Sequence, residues 1–230
     1  MSDGQHALAP DRARERPQEV QLPALAALPG LDSGKVSGWC LGGGKRLLDI
    51  AGALFLMLLT LPLAVLVSVA IALTSGYPVT YRQLRLGLNR RPFVVLKFRT
   101  MYRDAERFTG PVLAGPNDPR ITPLGRLLRR SRIDEIPQLL NVLRGDMSLV
   151  GPRPERPVFV KQFMRQIPGY AGRFSVLPGL AGPAQVAESY YATAEQKLVH
   201  DLCYRDSATF WTDARVLCQT VVVVLRANGR

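Results

Sequence analysis

Residues 50–74 read IAGALFLMLLTLPLAVLVSVAIALT, and this run decides the architecture of the chain. No charged side chain occurs from Ile50 to Tyr81. A helix of that length covers the roughly 30 Å hydrocarbon core of a bilayer. The run is too long and starts too late for a signal peptide, and no clear small-residue cleavage site follows. A buried soluble helix is the simpler alternative, but such helices seldom run this far without a polar face. Pro62, near the middle, removes one backbone donor and crowds the preceding turn, which predicts a kink or break. Lys35, Lys45 and Arg46 flank the run on one side and Arg82, Arg85, Arg90 and Arg91 on the other. The positive-inside rule places both flanks in the cytoplasm. A helix–break–helix that re-enters the face it came from satisfies both facts, provided its bend is buried or hydrated.

Composition narrows what surrounds this segment. The chain has 230 residues, 47% of them hydrophobic and 21% charged, which excludes wholesale disorder. Its net charge of +12 calls for an anionic partner: nucleic acid, anionic lipid or a phosphorylated substrate. Aromatics at 7% are sparse for base stacking, and a nucleic-acid binder leaves the apolar segment without a purpose. Three scattered cysteines (Cys40, Cys203, Cys218) and two histidines (His6, His200) argue against a disulfide framework or a zinc site. Metal chemistry would therefore use carboxylates and a hard ion such as magnesium.

The chain divides into a tail (residues 1–40, with a short helix at about 20–28), a membrane segment (41–76) and a domain that follows it (77–230). Gly42-Gly43-Gly44-Lys45 fails the phosphate-loop spacing, has Arg46 where Ser or Thr is needed, and reads as a hinge. Beyond the membrane segment, 79–82 and 92–98 read as strands around a Gly87-Leu88-Asn89 turn. Thr122-Pro123 opens a helix that runs to about 130. A second helix starts near Asp134, carries Pro137 in its first turn and stops at Gly145. Its Ile136, Leu139, Leu140 and Leu143 fall on one face. A proline-rich loop, a helix at 158–166, turns at Pro178-Gly179 and Gly182-Pro183, and a short segment at 184–186 follow. Two terminal helices span 194–204 and 210–226. The last is amphipathic, has Trp211 near its start, and suits either the membrane interface or the core. The fold class is mainly α with a small β element (α+β).

The chemistry centres on Asp134-Glu135. Adjacent carboxylates at a helix start stay ionised, so one can be a nucleophile and the other can hold a divalent cation. A plain N-terminal cap is the competing reading of the dipeptide. Cations in separate stretches, at Lys97, Arg99, Arg120, Arg129, Arg130 and Arg153, shift the balance, since converging charges would neutralise a diphosphate. Arg153 lies between Pro152 and Pro154, which stiffen its backbone.

Several motifs occur in order: Lys45-Arg46-Leu47-Leu48-Asp49, Lys97-Phe98-Arg99-Thr100-Met101, Asp134-Glu135-Ile136-Pro137-Gln138 and Gly145-Asp146-Met147-Ser148. They continue with Val150-Gly151-Pro152-Arg153-Pro154 and Pro178-Gly179-Leu180-Ala181-Gly182, ahead of Gln185-Val186. With these the chain resembles the bacterial sugar transferase family, the monotopic polyprenyl-phosphate phosphoglycosyl transferases, in their short stand-alone form. The resemblance runs from about Lys45 to Leu225. It implies a re-entrant enzyme on the cytoplasmic face of the bacterial inner membrane, near anionic lipid. Such an enzyme moves a sugar-1-phosphate from a UDP-sugar to undecaprenyl phosphate and releases UMP, for exopolysaccharide or a related envelope glycan. It further implies Asp134 as nucleophile and Glu135 as the magnesium-associated residue. Lys97, Arg99, Arg129 and Arg153 match phosphate-binding residues, Asp201 a late carboxylate, and Pro62 the membrane break. A homodimer is among the assemblies it allows. Leu61, Ala181, Pro183 and Cys203 depart from the family pattern, at positions expected near the substrate. The rival readings are a glycosyltransferase that releases UDP, for which no dinucleotide-type glycine fingerprint is found, and a non-catalytic basic adaptor on the membrane surface.

Overall fold

The computed structural model describes residues 34–107, 110, 112, 115, 118–187 and 192–225. Most of the expected tail, its short helix, and Arg226 at the end of the last expected helix lie outside the described residues. A short helix α1 (Gly38–Leu41) leads into α2 (Gly43–Ser75), a helix long and apolar enough to cross a membrane. Two antiparallel strands follow, β1 (Thr80–Leu86) and β2 (Pro92–Phe98), in register from Thr80 opposite Phe98 to Leu86 opposite Pro92. Then come α3 (Pro123–Arg130), a 3-10 turn (Ile133–Gln138), α4 (Leu139–Arg144), β3 (Ser148–Val150) and α5 (Pro157–Gln166). A second 3-10 turn (Tyr170–Ser175), β4 (Gly179–Ala181), α6 (Pro183–Ala187), α7 (Ala194–Ser207) and α8 (Phe210–Leu225) complete the chain. The protein is mainly helical with two small sheets, as the composition and motif spacing predict.

Locally encoded boundaries hold. Thr122 caps α3 by accepting from Gly125 N at 2.9 Å, with Pro123 at the first helical position. Gly145 ends α4 at φ 88°, a left-handed conformation that favours glycine. Two expectations change. The first strand is longer than residues 79–82, because cross-strand pairing with β2 carries the alternating polar run to Leu86. The helix expected from Asp134 to Gly145 is a tight 3-10 turn followed by one short α-helix. Pro137 supplies no N–H to that stretch, and the change of pitch turns a different face inward. The buried stripe is Asp134, Glu135, Gln138, Leu139, Asn141 and Val142, while Leu140 stays 38% exposed.

Helix α2 keeps its helical assignment through Pro62, so the expected break is not an interruption of the helix. Near the proline, the Thr60 hydroxyl donates to Leu56 O at 2.7 Å, satisfying a polar group in an apolar stretch. Leu54, Phe55, Leu58, Leu59, Leu61 and Leu66 are exposed, and only 11% of the most apolar window is buried. Each such side chain left in water forgoes about 1.5–3 kcal/mol, which argues against a soluble core helix. The ends of α2 are different. Ala53 joins the main core with Val95, Leu139, Val142, Met147 and Leu149. Val67 and Ile71 join a second cluster with Phe98 and Leu128. Both ends of the helix therefore pack on the same globular body.

Strands β3 and β4 run parallel and approach at two glycines. A Cβ on Gly179 would fall on the backbone N of Gly151, and one on Gly151 would strike Leu177 O. Neither glycine has a positive φ, so the demand is for space. Gly179→Ala is expected to cost at least about 1–3 kcal/mol by overpacking. That is a fall in melting temperature of about 2–12 °C, read by a thermal scan in lipid discs.

Candidate active site

Three segments deliver the site. Strand β2 presents Lys97, the 3-10 turn presents Asp134 and Glu135, and the proline-rich stretch after β3 presents Arg153. Asn141 on α4 fixes the first two against each other. Its carboxamide accepts from Leu96 N at 3.1 Å and donates to Val94 O at 2.7 Å, filling the free edge of β2. It also donates to Asp146 at 3.1 Å. The turn carrying the carboxylates is thereby held in register on the strand carrying the lysine.

At the centre, Glu135 Oε1 meets Lys97 Nζ at 3.0 Å and Arg153 Nη2 at 2.5 Å. Oε2 faces Arg153 Nη1 at 3.5 Å and Arg132 Nη1 at 3.8 Å. Arg132 takes the left-handed conformation, φ 59°, immediately before the turn. Glu135 is buried, and burial alone would raise its pKa. The charges of Arg153 and Lys97, the Arg153 hydrogen bond and the Arg132 charge outweigh that and hold the carboxyl well below the usual range. Asp134 is buried beside it, and its charge acts on both Lys97 and Arg153. Three cations around two carboxylates leave a positive surplus in a largely desolvated place, which is a seat for a further anion.

The other expected site residues have their own partners. Arg129 donates from Nε to Thr100 Oγ1 at 2.9 Å, and its charge reaches Asp118. Arg99 donates Nη2 to Ser75 O at 2.6 Å and also to Gly76 O, closing the C-terminal end of α2. Asp201 is buried on α7 and pairs with Arg173 at 2.7 Å. Pro62 lies within the exposed middle of α2. Of the departures, Ala181 is buried in the sheet opposite Val150, while Cys203 and Leu61 are exposed. Arg132 and Arg173 carry no signal in their sequence surroundings, and Gln185 carries only its place in the Gln185-Val186 motif. Gln185 accepts from Gly182 N at 3.0 Å and faces Arg153 Nη1 at 3.5 Å.

The first motif has a structural purpose. Lys45 Nζ reaches Asp213 at 2.7 Å and Val150 O at 3.1 Å. Arg46 donates to Val142 O at 2.7 Å and Leu143 O at 2.9 Å, satisfying the C-terminal carbonyls of α4. Asp49 accepts from Ser148 Oγ at 2.9 Å and Leu149 N at 2.8 Å. These contacts seat α2 on β3 and α4, directly behind the carboxylates.

Among the described residues, no group of three or more His, Cys, Asp or Glu side chains forms a ready-made metal cage. The pair Asp134-Glu135 still offers hard oxygen donors. Magnesium characteristically uses one or two carboxylates and completes its shell with water and substrate phosphate. The donor set fits that mode of binding.

A buried carboxylate pair set among cations, beside a long apolar helix, defines an anion-handling domain. Residues 42–227 match the profile of the bacterial sugar transferase family, and the chain belongs to that family. This bears out the resemblance read from the motifs. The chain is 42% identical over 188 residues to the UDP-N-acetylgalactosamine-undecaprenyl-phosphate N-acetylgalactosaminephosphotransferase of Aeromonas hydrophila, a match covering 80% of this chain and 44% of that protein. It is 43% identical over 192 residues to the UDP-glucose:undecaprenyl-phosphate glucose-1-phosphate transferase of Caulobacter vibrioides, covering 80% and 71%. It is 41% identical over 185 residues to the uncharacterized sugar transferase EpsL of Bacillus subtilis, covering 80% and 89%. The chain thus spans less than half the length of the Aeromonas relative and most of the other two.

Proposed function

We propose that this protein transfers a sugar-1-phosphate from a UDP-sugar to undecaprenyl phosphate and releases UMP. The observation that carries the reading is the buried Asp134-Glu135 pair, with Lys97, Arg132 and Arg153 gathered on Glu135. A carboxylate nucleophile must approach a doubly charged diphosphate, and that approach is repulsive unless cations are already in place. In the first step Asp134 attacks the sugar-proximal phosphorus. A carboxylate O–P bond forms, the bridging P–O bond breaks, and UMP departs with the bridging oxygen. In the second step a phosphate oxygen of the lipid attacks the same phosphorus, and Asp134 leaves as a carboxylate. Lys97, Arg153 and Arg132 hold the donor's diphosphate, with Arg129 one helix away. Magnesium held by Glu135, with Asp134 beside it, would supply further neutralisation of diphosphate charge.

The same reading extends to the membrane. Helix α2 enters and leaves the bilayer from one face, the cytoplasmic face of the inner membrane, bending at Pro62. Support comes from its two ends. Ala53 and Ile71 both pack on the one globular body, and Arg99 ties the carbonyls of Ser75 and Gly76 to it. A helix that crossed would carry Val67 and Ile71 through about 30 Å of hydrocarbon, away from Phe98 and Leu128. Trp211 and Phe210 at the start of α8 are exposed and suit the interface. The product is the lipid-linked first sugar of exopolysaccharide or a related envelope glycan.

The test is the nucleotide released. Purified protein in lipid discs, with magnesium, undecaprenyl phosphate and a panel of UDP-sugars, is expected to yield UMP from one donor. UDP would move the protein to sugar transfer without phosphate. No nucleotide from any donor, with lipid binding intact, would favour a membrane-surface adaptor.

A further inference from the structure

We propose that Arg173 and Asp201 form a positioning clamp that fixes the backbone of Arg153 and so sets where its guanidinium meets the donor's diphosphate. This rests on the phosphoryl-transfer reading of the site. The argument starts from three consecutive carbonyls. Pro152 O accepts from Gly179 N at 2.9 Å, Arg153 O from Arg173 Nη2 at 2.8 Å, and Pro154 O from Arg85 Nη1 at 3.0 Å. The two prolines already limit this stretch to few conformations. With every carbonyl taken, the main freedom left at Arg153 is in its side chain, which points at Glu135 and Gln185.

The middle donor is itself held. Arg173 comes from the 3-10 turn Tyr170–Ser175 and is buried. Its Nη1 donates to the Tyr170 hydroxyl at 2.5 Å, and its guanidinium lies 5.1 Å from the centre of the Tyr170 ring. Its Nη2 pairs with Asp201 Oδ2 at 2.7 Å. Burial pushes Asp201 up to about 6 against the pull of Arg173, so keeping this carboxylate inside the fold is costly. A well-packed apolar pair would usually be as stable or more so. What an apolar pair could not supply is the N–H on Arg153 O. Asp201, the late carboxylate of the family pattern, thus acts through Arg173 and Arg153 as a positioning residue.

The test separates geometry from stability. Full-length wild type, Asp201→Asn and the double variant Arg173→Met/Asp201→Leu are compared in lipid discs. The readouts are melting temperature, UDP affinity by calorimetry, and kcat and KM for each substrate. The double variant is expected to melt at or above the wild-type temperature. Its UDP affinity and its kcat/KM for the UDP-sugar are expected to fall about 10- to 100-fold, the scale of a 1 Å misplacement, with the lipid KM unchanged. A purely structural pair predicts instead that restored stability restores both. A double variant with wild-type melting and wild-type UDP affinity would overturn the clamp. If the double variant does not fold, Asp201→Asn decides by the same UDP measurement. Wild type that binds UDP but releases no UMP would overturn the reaction and leave the clamp readable. Wild type that does not bind UDP would overturn both.

Discussion

Asp134→Asn is expected to fold as the wild type does and to release UMP at a rate lower by about 10⁴-fold or more, the scale seen when a nucleophile is removed. The amide is isosteric, so the packing around this buried position is preserved. What is lost is the anionic oxygen that would attack phosphorus and the carboxylate that would leave it. Thermal scans should place the variant within a few degrees of wild type. Mass spectrometry gives the sharper check. Incubated with the donor and without lipid acceptor, the wild type should gain the mass of a phosphosugar, and the variant should gain none. Turnover by the variant at a near wild-type rate would refute the nucleophile.

The largest expected effect on stability lies where α2 is seated on the domain. Lys45 and Asp213 are both buried and 2.7 Å apart. Asp213 also accepts from Trp39 Nε1 at 2.9 Å and from the Tyr204 hydroxyl at 2.6 Å. One carboxylate therefore ties α1, α2, α7 and α8 together. Asp213→Ala leaves the Lys45 ammonium buried without its counter-charge, which costs about 3–5 kcal/mol. A fall in melting temperature of about 10 °C is expected for a chain of this size. The double variant Lys45→Met/Asp213→Leu should recover most of it, because it removes both charges together. If Asp213→Ala alone melted like the wild type, the network would be incidental.

What could be read from the sequence follows how local the cause is. Thr122-Pro123 and Gly145 announce their helix ends because the capping atoms lie within four residues. The 3-10 turn at Ile133–Gln138 could not be read this way. Its residues carry a helical spacing, and the tighter winding comes with burial of Asp134, Glu135 and Gln138 within the fold. The site shows the same division. Asp134-Glu135 stands out as a dipeptide, but its cations come from Lys97 and Arg153, which only folding or the family resemblance brings near. Arg99 shows what charge alone leaves open. A guanidinium that closes a helix end is indistinguishable, in sequence, from one that waits for phosphate. Arg173 carried no signal, since its meaning depends on Arg153 and Asp201, 20 and 28 positions away in the chain.

The two-ended docking of α2 has a consequence for how the protein is made. Lys45 leaves the ribosome 168 residues before Asp213, its buried partner. If α2 enters lipid as it is made, it does so with Lys45 still waiting for Asp213. Contacts so distant in sequence form slowly, and the intermediate that waits for them is prone to aggregation. Nor can the helix be trimmed away to yield a soluble enzyme. Removing it would take Ala53, Val67 and Ile71 out of two cores, so the apolar helix and the globular body are one folding unit.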